Sequence, residues 1–135
     1  MPAGHPLVFD SWALLALLQN ERAAKTVRSL ITESRASNAP LWITLVNLGE
    51  VWYILARRHS QTDADESLKE VRALGFEVEG IDWALTLQAA KFKAKYPLSY
   101  ADCFAAALAR QRNAELVTGD PEFKRLENEI KIHWL

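Results

Sequence analysis

The sequence predicts a three-layer α/β fold, with a central parallel sheet of four to five strands and helices on both of its faces. Three observations carry this. Short apolar runs of strand length alternate along the chain with longer stretches of helical periodicity, the pattern of successive βαβ units. The chain has 135 residues, half of them hydrophobic, enough for one real core but not for two. No internal repeat, low-complexity tract or Pro/Gly/Ser-rich linker divides it, so residues 1–135 read as a single domain.

Taken in order, Leu7-Val8-Phe9-Asp10 is an apolar run ending in an acid, and it passes directly into a helical stretch, Ser11 to Gln19. Glu21 to Ser34 continues helically, with Ala24, Val27, Leu30 and Ile31 on one face. Pro40 introduces a second strand, Leu41 to Thr44. Leu45 to His59 reads as a long helix and Asp63 to Leu74 as another, stopped by Gly75. Phe76 to Ile81 alternates apolar and polar residues, as a strand does. Trp83 to Tyr96 is helical and is halted by Pro97, and Ser99 to Arg112 is an alanine-rich helix. Glu115 to Thr118 forms a fourth strand, Pro121 to Glu127 a short helix and Ile130 to Trp134 a fifth strand.

Bulk composition narrows the function classes. Sixteen Lys and Arg against 17 Asp and Glu leave the net charge near zero, which argues against a protein that holds nucleic acid by bulk charge. Phosphate contacts that are few and local, or supplied by a metal, stay open. The single cysteine, Cys103, permits no internal disulfide and fits a reducing compartment. The segment MPAGHPLVFD lacks the basic and apolar regions of a signal peptide, and no run approaches the roughly 20 apolar residues of a membrane helix. A soluble cytoplasmic protein is expected.

The acids are the informative residues. Ligands of open parallel sheets bind outside the carboxyl ends of the strands. Asp10 ends the first strand and Asp120 follows the fourth, so both belong at one sheet edge. Each also has a plain structural role available: Asp10 can cap the first helix, and Asp120 before Pro121 is a good N-cap. Glu50 lies mid-helix in the stripe Val46-Glu50-Ile54, where an unpaired buried charge would cost several kcal/mol. An ion pair with Arg57 or Arg58, or simple exposure at a helix edge, is the alternative. Asp102 stands near the start of a helix with no other charge from Ser99 to Ala109, and Ser99-x-x-Asp102 fits a capping box. A first-turn carboxylate can cap and still offer an oxygen to a metal.

Together the four acids say more than each alone. Carboxylates gathered at strand ends and helix starts repel one another unless cations neutralise them. An all-oxygen donor set selects Mg²⁺ or Mn²⁺ over zinc. A pair of such ions is a common device for in-line displacement at phosphorus, one activating water and the other stabilising the leaving oxygen.

The order Phe9-Asp10-Ser11, Leu48-Gly49-Glu50-Val51, Ser99-Tyr100-Ala101-Asp102-Cys103 and Val117-Thr118-Gly119-Asp120-Pro121-Glu122-Phe123 resembles PIN-domain nucleases, most of all the VapC-type toxins of toxin–antitoxin pairs. The resemblance runs from Leu7 to Ile132, and its last two motifs are the more specific. It implies catalytic and metal-binding roles for Asp10, Glu50, Asp102 and Asp120. It further implies that the Ser11 and Thr118 hydroxyls hold water or phosphate, with Glu122 as a peripheral acid. Gly119 stands where the family often carries a larger, sometimes basic residue. Also implied are hydrolysis of RNA phosphodiesters in single strands or loops, a homodimer, and a small antitoxin that occludes the site.

Other features carry less. Lys91, Lys93 and Lys95, interleaved with Phe92 and Tyr96, form either an RNA path or a solvated helix face. Arg57, Arg58, Arg110 and Arg112 sit at helix C-termini, where the dipole favours cations. Of the five tryptophans, Trp12 and Trp52 could line a groove for an antitoxin segment, although core packing is the default. Cys103 has no nearby His to activate it and reads as a small buried hydrophobe. His5, His59 and His133 lack metal-ligand spacing. Among rival classes, a receiver domain needs a further acid pair near the first strand and a Lys after the last, and the chain has neither. A non-catalytic binding module, or a PIN-type nuclease of RNA processing outside any toxin system, keeps the fold and changes the role.

Overall fold

The computed structural model describes residues 4–135. Five strands, β1 (Leu7–Phe9), β2 (Leu41–Thr44), β3 (Phe76–Glu79), β4 (Glu115–Thr118) and β5 (Ile132–Trp134), form one parallel sheet in the order β3-β2-β1-β4-β5. Six α-helices connect them: α1 (Ser11–Leu18), α2 (Ala24–Ala36), α3 (Leu45–Arg58), α4 (Gln61–Ala73), α5 (Trp83–Lys95) and α6 (Tyr100–Gln111). A 3-10 segment, Pro121–Leu126, follows β4. The predicted three-layer architecture is the observed one.

Alternation along the strands makes the two outer layers. Leu7 and Phe9 point into a core shared with Leu14 of α1, Val27 of α2, Val51 of α3 and Val71 of α4. Val8 points the other way, into a second core built on Phe92 of α5 and the alanines of α6. Leu116 and Val117 divide between the same two cores. A parallel sheet covered on both faces needs such strands, apolar throughout and splitting their side chains by parity. The chain runs from β1 outward to β3, then returns to β4 on the other side of β1, so the switch of direction falls between β1 and β4.

Element ends differ from expectation by a few residues, for local reasons. Helix α4 begins at Gln61 rather than Asp63, because Ser60 Oγ accepts the Asp63 N–H at 3.0 Å and makes Ser60 the cap. Helices α1, α2 and α6 each end on an asparagine with positive φ, Asn20, Asn38 and Asn113. In each case the next residue's N–H returns to a carbonyl five residues back at 2.8 Å, closing a Schellman motif. After α4 it is Gly75 that takes the positive φ, 94°. The region after β4 winds as a 3-10 segment ending at Leu126, and β5 starts at Ile132, two residues later than the alternation predicts.

Candidate active site

Asp10 leaves β1 at the switch point, its N–H still reaching Val117 O of β4 at 3.4 Å. It caps α1, with Oδ1 accepting the Ala13 N–H at 2.9 Å, while Oδ2 accepts the Thr118 hydroxyl at 2.5 Å. Thr118 Oγ1 in turn accepts the Asp120 N–H at 3.0 Å, and Asp120 Oδ1 accepts the Glu122 N–H at 3.0 Å. The capping roles open to Asp10 and Asp120 are therefore real, and one chain of bonds ties the two acids together across the sheet edge. Cap and cluster are compatible because each carboxylate has two oxygens.

The electrostatics link the remaining acids to these. Asp10 is 1% exposed, and burial pushes its carboxyl up to about 7. The bonds from Thr118 and Ala13 pull the other way, and the charges of Asp102 and Asp120 add to the rise. Asp102 rises to about 6, again chiefly by burial, with Asp120, Glu50 and Glu122 contributing repulsion. Its N–H donates to Ser99 Oγ at 3.2 Å, half of the capping box the sequence offered. Glu50 is half-buried on α3. The arginines that could have paired with it are engaged elsewhere, Arg57 over the Tyr53 ring and Arg58 on Gln19 Oε1 at 3.0 Å.

Asp10, Glu50, Asp102 and Asp120 thus share one electrostatic neighbourhood, with Glu122 at its edge. A desolvated carboxylate surrounded by others is the environment that a cation relieves, and the donors are hard oxygens throughout. Among the described residues no group of three or more His, Cys, Asp or Glu side chains stands arranged to hold a metal ion. The chemistry of the donors, hard oxygens throughout, is that of a divalent-cation site.

The hydroxyls expected near water or phosphate are both engaged inside the protein. Thr118 donates to Asp10, and Ser11 Oγ donates to Asn47 O at 3.1 Å. Asn47 is the residue that sequence reasoning missed. Fully buried in the first turn of α3, it accepts the Thr44 hydroxyl on Oδ1 at 2.5 Å, and its Nδ2 donates to Ala101 O at 3.1 Å and Ser11 Oγ at 3.4 Å. It joins the three helices whose first turns follow Asp10, precede Glu50 and carry Asp102. The available signal was an amide three residues after the cap Thr44, on a buried helix face otherwise formed by Leu48, Val51 and Leu55. Asn47→Ala leaves the buried Thr44 hydroxyl without its acceptor and the part-buried Ala101 carbonyl without the Nδ2 donor, so it should lower stability by about 1–3 kcal/mol in a denaturant titration.

The other residues singled out in the sequence have definite places in the fold. Phe92 is buried beneath Arg110, so it offers no face for stacking, and Lys93 donates to Leu98 O at 2.6 Å. Lys95 and Tyr96 both engage Glu129. In the run Lys91 to Tyr96 the Phe92 ring is turned in and Tyr96 is half-buried, while the three lysines stay exposed. Trp52 donates to Asp65 Oδ1 at 2.9 Å, bracing α3 on α4, whereas Trp12 stays 37% exposed. Cys103 is buried and its thiol is pushed up to about 11, as befits a small hydrophobe. His133 lies 3.5 Å from Glu115, and no helix among the described residues is long and apolar enough to cross a membrane.

Comparison with known proteins agrees with the fold. No curated protein sequence matches the chain. Among solved structures, VapC20 of Mycobacterium tuberculosis, a toxin that cleaves the sarcin–ricin loop, has a TM-score of 0.71 at 22% identity, covering 88% of this chain and 93% of its own. VapBC2 of Rickettsia felis, bound to a DNA fragment from its promoter, has a TM-score of 0.76 at 16% identity, covering 96% and 98%. A toxin–antitoxin complex from Klebsiella pneumoniae has a TM-score of 0.68 at 20% identity, covering 94% and 95%. At these identities the likeness is one of fold. The sequence itself matches the PIN domain over residues 7–129, nearly its whole length, and the chain belongs to the PIN-domain family.

Proposed function

We propose that this chain is a Mg²⁺- or Mn²⁺-dependent endoribonuclease and the toxin of a toxin–antitoxin pair. The observation that carries the reading is the convergence of Asp10, Asp102 and Asp120, with Glu50 beside them, at the switch point of a parallel sheet. Asp10, Glu50, Asp102 and Asp120 would hold the cation, which when bound supplies charge neutralisation at the phosphate and a more acidic water. Asp10 is the anchor, fixed by Ala13 and Thr118 at the bottom of the cluster. Asp102 and Asp120 are only half-buried, so this is the side from which a phosphodiester would approach.

A small antitoxin is the proposed protein partner, on the strength of the toxin–antitoxin assemblies that share the fold, and a homodimer in the cytoplasm is the proposed working state. The test is incubation of the purified chain with a pool of structured and unstructured RNAs in EDTA, Mg²⁺ or Mn²⁺. Cleavage should occur with either cation and stop in EDTA. Cleavage that persists in EDTA, or calorimetry showing no cation binding to the folded chain, would overturn the reading.

A further inference from the structure

We propose that the Trp12 indole is a stacking platform for a nucleobase of the strand being cut, held beside the carboxylates by the missing side chain of Gly119. The proposal rests on the nuclease reading above and names how the strand is gripped.

Trp12 lies in the first turn of α1, two residues after Asp10. Its Cη2, Cζ3 and Cζ2 atoms lie 2.2, 2.4 and 2.6 Å from where a Cβ on Gly119 would stand. The six-membered ring therefore fills the place of a side chain at 119, between Thr118, bonded to Asp10, and Asp120. The indole thus starts two residues after the acid that ends β1 and packs on the residue before the acid that follows β4. It is not needed to seal the core: Ala13, Leu14, Ala16 and Leu17 supply the buried face of α1, and Trp12 joins neither apolar cluster. A large aromatic keeps 37% of its surface exposed at the rim of the site.

Charge says why an aromatic is wanted there. The charged groups that act most on Asp10 and Asp102 are other acids, and the chain as a whole carries a formal charge of −1. A polyanion reaching this site gains little from long-range attraction. Stacking on an aromatic face is indifferent to charge and to base identity, and it holds single strands by their bases. Of the two aromatics among the lysines, Phe92 is buried and Tyr96 is bonded to Glu129.

The test uses ¹⁵N-labelled Asp102→Asn protein with Mg²⁺, so that the strand is bound and not consumed. The indole N–H of Trp12, identified by its absence in Trp12→Phe, is followed while a mixed-sequence single-stranded RNA is added, then an abasic strand of the same length. The expected result is a shift with RNA and none with the abasic strand. In the active enzyme Trp12→Ala should raise KM about 10-fold, with kcat within twofold of the parent. Trp12→Phe should keep most of the affinity, and Gly119→Ala, which displaces the ring, should behave as Trp12→Ala does. An indole that stays still while backbone signals around residue 102 move, an equal shift with the abasic strand, or an unchanged KM in Trp12→Ala would overturn the proposal. An indole that answers only to a co-expressed antitoxin would overturn it as well, by giving that face to a protein. Failure of the nuclease reading looks different: the wild-type chain neither binds nor cuts any RNA, and the stacking proposal falls with it.

Discussion

Asp102→Asn should lower cleavage at least about 1000-fold, some 4 kcal/mol of barrier at 1.36 kcal/mol per decade, while leaving the fold intact. The substitution keeps the shape of the side chain and removes one negative oxygen from the cluster. The α6 cap survives, because the bond to Ser99 Oγ comes from the backbone N–H of residue 102 and not from its side chain. Burial and three neighbouring acids already hold the Asp102 carboxyl up at about 6, so a neutral amide meets no new penalty. Activity and stability should therefore part company. Single-turnover cleavage falls by three decades, calorimetric cation affinity weakens, and Tm stays level or rises slightly. Equal loss of activity and Tm would make Asp102 a capping residue whose effect on cleavage is indirect. Unchanged cleavage would remove it from the site.

The layer order and the sheet edge carrying the acids were legible in the sequence, because both follow from periodicity. Leu7-Val8-Phe9 divides between two cores, and such a strand has to be interior to a covered parallel sheet. Once the strands are parallel, the acids that end β1 and follow β4 must share an edge. The neighbourhood of Glu50 with Asp102 is a different matter. It depends on how α3 and α6 lean together, which no pattern within either helix specifies. Asn47 escaped for the same reason: its partners, Ser11 and Ala101, lie 36 and 54 residues away. Trp12 over Gly119 was hidden twice over. The sequence marks Gly119 only as lacking a larger side chain, and it leaves Trp12 between a groove and the core. Only the fold shows that the ring fills the place of the missing side chain. The hydroxyls of Ser11 and Thr118 make the complementary point, since a motif gives a residue's place and leaves its bonding partners to the packing.

Asp10→Asn should stabilise the cation-free protein at pH 8, raising Tm by about 5–10 °C, even as it removes cation binding. Asp10 has a carboxyl value of about 7 in the fold, against 3.8 for the free side chain. Between those values the native state holds a proton that the unfolded chain has released, so stability falls as pH rises from about 4 to about 7 and is level above. Asp102, at about 6, acts in the same direction over the lower part of that window. Glu129 is held below its usual range, first by its bond from Tyr96, so its contribution is lost only at the acid end. A shift of this size on a buried group corresponds to at most about 4 kcal/mol. Asparagine removes the buried charge and keeps the frame, its Oδ1 accepting from Ala13 and its amide donating to Thr118 Oγ1 in place of the present bond. At 135 residues each kcal/mol moves Tm by about 3–4 °C. Thermal melts from pH 5 to 8 should slope downward for the wild type in EDTA and run flatter for the variant. Mg²⁺ or Mn²⁺ should restore the wild type at pH 8 and leave Asp10→Asn unmoved, because only a ligand that binds the native state raises Tm. A wild-type Tm that climbs from pH 5 to 8 without metal would mean that Asp10 is not buried as a charge. The site would then lose its reason to attract a cation.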